Sequence, residues 1–186
     1  HVHVQQVPLG LGNAIQSALP AIDGPFLVLL GDNLLVDQPS TPSSFIPSRA
    51  SSDLVASFEQ HGRPCAAMMP VEPDEVSNYG VVRIEDSKIV EIVEKPAKEN
   101  APSNLVLCGR YVFTADTSEL LERFDVETHG ELQTIALQQH WMDHGGMYGV
   151  ELDGYQWYDS GKPLPWLKAQ VDHALRREDM GEELRI

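Results

Sequence analysis

The stretch FLVLLGDN at residues 26–33 constrains the fold more than any other part of the chain, because five apolar residues run unbroken into a glycine, a carboxylate and an amide. A short continuous apolar run bounded by a turn signal fits a strand buried on both faces, as in a parallel sheet flanked by helices. Asp32 then stands just past the strand's carboxyl end. Ligands of open α/β sheets bind along that edge, so Asp32 is a candidate for a metal ion or substrate, with an ordinary turn residue after glycine as the alternative.

The flanking segments follow a β, turn, α, β order. HVHVQQ alternates like a strand, PLGLGNAIQSALPAI reads as a glycine-bearing turn and a short helix, and the FLVLL strand comes next. Residues 37–50 have the Pro and Ser density of a surface loop, and SSDLVASFEQHG reads as a capped helix ending at Gly62. PCAAMMPV is a second buried strand, and YGVVRIEDSKIVEIVEKP holds two alternating runs about DSK, a hairpin signal. NLVLCGRYVF is a further strand, and DTSELLERF opens with a capping box of Asp116 and Glu119. MYGVELDGYQWYDSG supplies the last strands. In the final helix Leu167, Val171, Ala174 and Leu175 share one face, expected to pack on the sheet. The predicted fold is α/β: one domain over residues 1–186 with a Rossmann-like mixed, mostly parallel sheet flanked by helices, plus an antiparallel hairpin.

Charge limits the partners. Thirteen basic residues against 28 acidic ones give a formal charge of −15, which argues against nonspecific binding to nucleic acid or anionic membranes. Any phosphate must be held locally. Cys65 and Cys108 are too few and too far apart for a disulfide framework or a zinc site and read as buried thiols, and the seven histidines show no metal-ligand spacing. No apolar run approaches a membrane span and no leader-like segment opens the chain, so a cytoplasmic location is expected. Because HVHVQQ starts as a strand with neither cap nor methionine, the chain is expected to begin inside a domain.

Four constellations could carry chemistry. In QQVPLGLGNA, glycines let backbone approach a flat ligand and a Gln amide offers a donor and an acceptor, as the edge of uracil requires. Asp32 in LLGDN and Asp159 in WYDSG each follow an apolar or aromatic run and could share one hard cation, Mg²⁺ in phosphoryl chemistry. In IVEIVEKPA, strict alternation puts Glu94 on the more apolar face, where sugar hydroxyls would satisfy it, while Lys95 before Pro96 is a point charge for a phosphate. In YGVV, Gly80 could let the main chain meet a sugar. Turns and a solvated hairpin end are the plain alternatives for all four.

In order and spacing PLGLGNA, LLGDN, NYGVV, VEKP, SNLVLCGRYVF, GELQ and YDSGKPLPWLKAQVDHALRREDMGEEL resemble the bacterial UTP:glucose-1-phosphate uridylyltransferases of the sugar-phosphate nucleotidylyltransferase superfamily. The resemblance covers nearly the whole chain. It implies uracil recognition by Gln5, Gly10 and Gly12, with Gln6 as the alternative to Gln5. It also implies a Mg²⁺ site at Asp32 and Asp159, sugar contacts at Gly80 and Glu94, and Lys95 as the phosphate-binding lysine, with Lys95 and Asp32 serving catalysis. The implied reaction joins UTP and glucose 1-phosphate into UDP-glucose and pyrophosphate, in a protein that forms homo-oligomers when intact.

The departures are equally specific. The family's opening strand and G-x-G-T-R loop are absent, so an amino-terminal third is missing by comparison. GELQTIALQ lacks the Asp of the family's GEIQLTDA, and Asn13 replaces a usual His. Three readings follow: the carboxy-terminal two thirds of a uridylyltransferase; a related nucleotidylyltransferase with another base or sugar; or a non-catalytic sugar-nucleotide-binding protein. Lacking the triphosphate loop, the chain alone is expected to bind UDP-glucose better than UTP and to turn over negligibly.

Overall fold

The computed structural model describes residues 1–37, 49–123 and 134–185. Its strands are β1 (Phe26–Leu29), β2 (Asn33–Asp37), β3 (Cys65–Pro70), β4 (Gly80–Glu85), β5 (Lys88–Glu94), β6 (Leu105–Phe113), β7 (Met147–Glu151) and β8 (Tyr155–Asp159). The helices are α1 (Leu11–Ala18), α2 (Ala50–His61), α3 (Thr117–Arg123), α4 (Ile135–Asp143), α5 (Pro163–Arg176) and the single turn α6 (Gly181–Leu184). Six strands form a mixed sheet in the order β1-β6-β3-β7-β5-β4, and β2 pairs with β8 in a separate two-stranded sheet.

Strand β3 explains why CAAMM carries no polar residue. Ala66 and Met68 join one core with Phe113, Leu137, Trp141 and Met147, under α3 and α4, while Cys65, Ala67 and Met69 join another with Leu54 and Val112, under α2. A strand with helices on both faces must be apolar at every position. Fully burying a side chain such as Leu54 or Met68 stabilises the fold by about 1.5–3 kcal/mol. Both cysteines are buried free thiols, as expected.

Local chain chemistry decides several turns and helix ends. Asp86 and Ser87 both have positive φ, 48° and 65°, the two-residue turn that suits the twist of the β4–β5 hairpin. Helix α2 ends at Gly62, whose φ of 61° and N–H bond to the Phe58 carbonyl at 2.7 Å close the last turn. Helix α3 starts where the capping box put it, although the Asp116 carboxylate accepts from the Trp141 indole and Glu119 pairs with Arg123.

Five expectations are corrected. β1, β3 and β7 run in one direction, as βαβ order requires, but β6 lies antiparallel between β1 and β3, so only β3–β7 is a parallel pair among the described strands and the sheet is not mostly parallel. Among the described strands β1 lies at the end of the sheet, and only one of its faces is covered: Phe26 and Val28 pack on the core while Leu27 and Leu29 are 39% and 53% exposed. HVHVQQ forms no strand, having no ladder partner among the described residues, and Val2 is 93% exposed. In β5, a register shift pairs Ile84 with Ile89 and Arg83 with Glu91, so Val90 is extra, strict alternation breaks, and Ile89 and Ile92 pack on the same core. In α5, Ala169 is the buried residue, whereas Leu167 and Val171 are 51% and 43% exposed, so the apolar face does not lie on the sheet. Most of the Pro/Ser segment and the GELQ motif lie outside the described residues. No described helix is long and apolar enough to cross a membrane.

The nine-residue length of β6 positions the site. At Leu105 and Val106 the strand pairs with β4, and at Arg110 to Phe113 with β1, while β3 follows the opposite edge. β1 and β4 therefore diverge along one edge of β6, and the fork falls at Gly109, where φ is 71°. The Leu30 N–H bonds the Gly109 carbonyl at 2.9 Å and ends β1 there.

Candidate active site

A cleft of about 540 Å³ opens in this fork. Asp32, Asp159, Gly80, Glu94 and Lys95, read from four separate segments, all line it. Gln5, Gly10 and Gly12 do not; of their turn only Leu11 reaches the cleft wall.

The two aspartates meet because β2 and β8 pair in a register that sets Asn33 opposite Asp159. The Ser160 N–H bonds the Asp32 carbonyl at 2.7 Å and ties the two turns together. A β-carbon added at Gly161 would lie 3.1 Å from Asp32 Oδ2 and 3.3 Å from Asp159 Oδ1, so both oxygens border one small space that the glycine leaves open. Among the described residues no third His, Cys, Asp or Glu joins them. Two hard oxygen donors with room beside them fit a cation that completes its shell with water and phosphate oxygens, as Mg²⁺ does.

On the opposite wall, Gly80 pairs directly with Glu94 across the hairpin. A β-carbon at Gly80 would come within 3.0 Å of Glu94 Oε2, so glycine leaves the space that the carboxylate occupies. The Glu94 side chain is 57% exposed, and its partner is the Lys95 ammonium at 3.7 Å. The apolar burial expected from alternation therefore does not apply, and the carboxylate faces the open cleft. Lys95 has φ of 44°, uncommon for a residue with a side chain, and its N–H bonds the Tyr79 carbonyl at 2.9 Å. This turn redirects the chain before Pro96.

In the first turn of the chain, Gln5 Nε2 donates to the Gly10 carbonyl at 3.1 Å and to Asn13 Oδ1 at 2.8 Å. Both amide hydrogens are thereby used, and Gln5 keeps only its carbonyl oxygen for a ligand. Asn13, the departure from the family's His, supports the turn.

Several lining residues escaped the sequence reading. Asn33 and Trp157 stand beside the two aspartates, Tyr79 packs on Trp157 in a tilted ring contact with centroids 5.0 Å apart, and Tyr111 with Gln138 forms the floor. Lys162 Nζ donates to Asn78 Oδ1 at 2.8 Å across the rim. Burial, then the charges of Asp159 and Glu75, push the Tyr79 hydroxyl above its ordinary range. Burial first, with Cys108 and Glu94 adding to it, holds the Tyr111 phenol protonated far into alkali. Asn33, Tyr79 and Trp157 all lie inside the GDN, NYG and WYD motifs, but nothing local marks them apart from ordinary core or turn residues.

A family model described as "Nucleotidyl transferase" matches residues 1–174. The chain is 32% identical over 197 residues to a UTP–glucose-1-phosphate uridylyltransferase of Haemophilus ducreyi, covering 99% of the chain and 64% of that protein. To the one from Streptococcus pneumoniae serotype 4 it is 30% identical over 194 residues, covering 100% and 62%. Among solved structures, a UDP-glucose pyrophosphorylase from Acinetobacter baumannii superposes with a TM-score of 0.81 at 28% identity, covering 98% of this chain and 62% of that one. A UDP-glucose pyrophosphorylase complexed with UDP-glucose gives 0.75 at 29%, covering 90% and 63%. The chain thus spans less than two thirds of the length of these relatives.

Proposed function

The chain belongs to the nucleotidyl transferase family, and from that premise we propose that the protein it forms part of transfers a uridylyl group from UTP to glucose 1-phosphate, giving UDP-glucose and pyrophosphate. The observation that carries the reading is the convergence of Asp32, Asp159, Gly80, Glu94 and Lys95 on one cleft. The names of the relatives support it. A homo-oligomer when intact belongs to the same proposal.

In this reading a phosphate oxygen of glucose 1-phosphate attacks the α-phosphorus of UTP, the bond to the bridging oxygen breaks, and pyrophosphate leaves with that electron pair. No covalent intermediate on the protein is needed, so the chain's task is alignment and charge neutralisation. Glu94 accepts hydrogen bonds from sugar hydroxyls at the place Gly80 leaves open. Lys95, turned out of β5, meets the sugar phosphate as a point charge. The Gln5 carbonyl oxygen accepts the uracil N3–H, and the donor that the base also needs comes from the unbonded N–H groups of the first turn of α1. Asp32 and Asp159 would hold Mg²⁺, which when bound supplies neutralisation of phosphate charge.

The test is pyrophosphate release by the full-length protein with UTP, glucose 1-phosphate and Mg²⁺, set against thymidine triphosphate and other sugar 1-phosphates. Preference for UTP and glucose 1-phosphate by tenfold or more is expected. Equal or better use of another pair would move the assignment to a related nucleotidylyltransferase, and no turnover with any pair would favour a binding protein.

A further inference from the structure

Asn33 has no task in the proposed reaction, yet both ends of its amide are committed to named partners. Its side chain rests on the bare Cα of Gly109, where a β-carbon would come within 2.7 Å of Asn33 Cγ. Trp157 Nε1 donates to Asn33 Oδ1 at 2.9 Å, and Asn33 Nδ2 donates to Asp32 Oδ1 at 2.8 Å. The antiparallel register explains the reach: Asn33 lies opposite Asp159, and Trp157, two residues earlier on β8, is its diagonal neighbour.

The direction of this chain is dictated chemically. An indole N–H donates and cannot accept, so the amide must turn its oxygen to Trp157 and its NH₂ to Asp32. A carboxylate only accepts, so each donor then meets an acceptor. With the amide reversed, an oxygen would face the indole-free side and oppose the Asp32 carboxylate. Trp157 in turn is held by a tilted ring contact with Tyr79, the two planes 49° apart. Asn33 occupies Asp32 Oδ1, while Asp32 Oδ2 borders the space it shares with Asp159 Oδ1.

We propose that Trp157 and Asn33 are positioning residues for Asp32: the indole fixes the amide, and the amide holds one carboxylate oxygen so that the other stays turned toward Asp159. This rests on reading the two aspartates as a cation pair, as in the proposed function. In this arrangement both act through Asp32 and not as cation ligands. Their contribution is to keep a flexible carboxylate in the one rotamer that pairs with Asp159, which removes an ordering cost from cation binding.

The test uses the full-length protein with Mn²⁺ as a spectroscopic probe, titrated by electron paramagnetic resonance without substrates, alongside steady-state kinetics. Trp157→Phe keeps a ring against Tyr79 and removes only the donor; Asn33→Ala removes the relay. Each folded variant should lose about tenfold in Mn²⁺ affinity and a similar factor in kcat, with KM for both substrates changed less than threefold. Because the residues act in series, the double variant should be no weaker than Asn33→Ala alone. Mn²⁺ affinity within twofold of wild type in either folded variant, or losses that multiply in the double, would overturn the proposal, as would absence of Mn²⁺ binding by the wild type. A wild type that binds Mn²⁺ but transfers no uridylyl group would refute the functional reading while the Mn²⁺ comparison still decides this one.

Discussion

Gly80 lies directly across the β4–β5 ladder from Glu94, and a β-carbon placed on it would stand 3.0 Å from the Glu94 Oε2 atom. The neighbour that must give way is the far end of a flexible side chain, so Gly80→Ala should fold. In the full-length protein we expect its KM for the sugar phosphate to rise about tenfold, equivalent to roughly 1.4 kcal/mol of lost binding, with a smaller change in kcat. Unchanged KM would show that Glu94 does not meet the sugar.

Gly109 and Gly62 have nearly the same backbone, with φ of 71° and 61°, but different surroundings. Nothing lies within 4 Å of a β-carbon at Gly62, whereas one at Gly109 would meet Asn33 at 2.7 Å. Gly62→Ala should therefore cost only the left-handed strain, about 1 kcal/mol. Gly109→Ala adds overpacking and should cost about 2–4 kcal/mol. Urea unfolding of the two variants side by side measures the difference; equal losses would mean that β2 moves away freely.

Asp32→Asn and Asp159→Asn keep size and remove charge. Since Asp32 is exposed, Asp159 is half-buried at the cleft, and an amide oxygen can still accept their hydrogen bonds, stability should stay within about 0.5 kcal/mol. Turnover of the full-length protein should fall about 10²–10³-fold, in line with removing one transition-state charge partner. Retained Mg²⁺-dependent activity in either variant would return that aspartate to a turn role.

The chain should lose stability in alkali in a way traceable to Cys108. Burial pushes this thiol from its ordinary 9.0 up to about 12. Between those values the native state keeps a proton that the unfolded chain releases, so its contribution is complete below pH 9 and disappears as pH rises toward 12. The slope for one such group is about 1.4 kcal/mol per pH unit. Denaturant midpoints at pH 8, 9.5 and 10.5 should fall steadily, and Cys108→Ala should flatten the fall; an equal slope in the variant would assign it to the tyrosines, Tyr158 among them, which burial and Asp172 raise to about 12.

Much of the fold was legible because its signals are local. The Asp86–Ser87 turn, the end of α2 at Gly62 and the two-faced burial of β3 follow from what those residues permit over a few positions. For β1 the apolar run reports that a strand has apolar neighbours to meet, not how many of its faces the described residues cover; Leu27 and Leu29 stand on the uncovered face. The bulge at Val90 misled for a related reason, since one extra residue resets a period of two without changing composition.

The sequence by itself determined which side chains could serve the cleft, since a carboxylate, a lysine or a glycine brings its chemistry wherever the chain carries it, and resemblance in order and spacing supplied their roles. Tertiary structure alone decided how they stand to one another. The register of β2 on β8 put Asn33 beside Trp157 and Asp159, the fork at Gly109 opened the space they line, and Gln5 was turned inward onto Gly10 and Asn13. The physical reason is range: the Trp157 indole and the Asn33 amide meet only after two distant strands have paired, and a hydrogen bond's direction depends on atoms that no stretch of local sequence brings together.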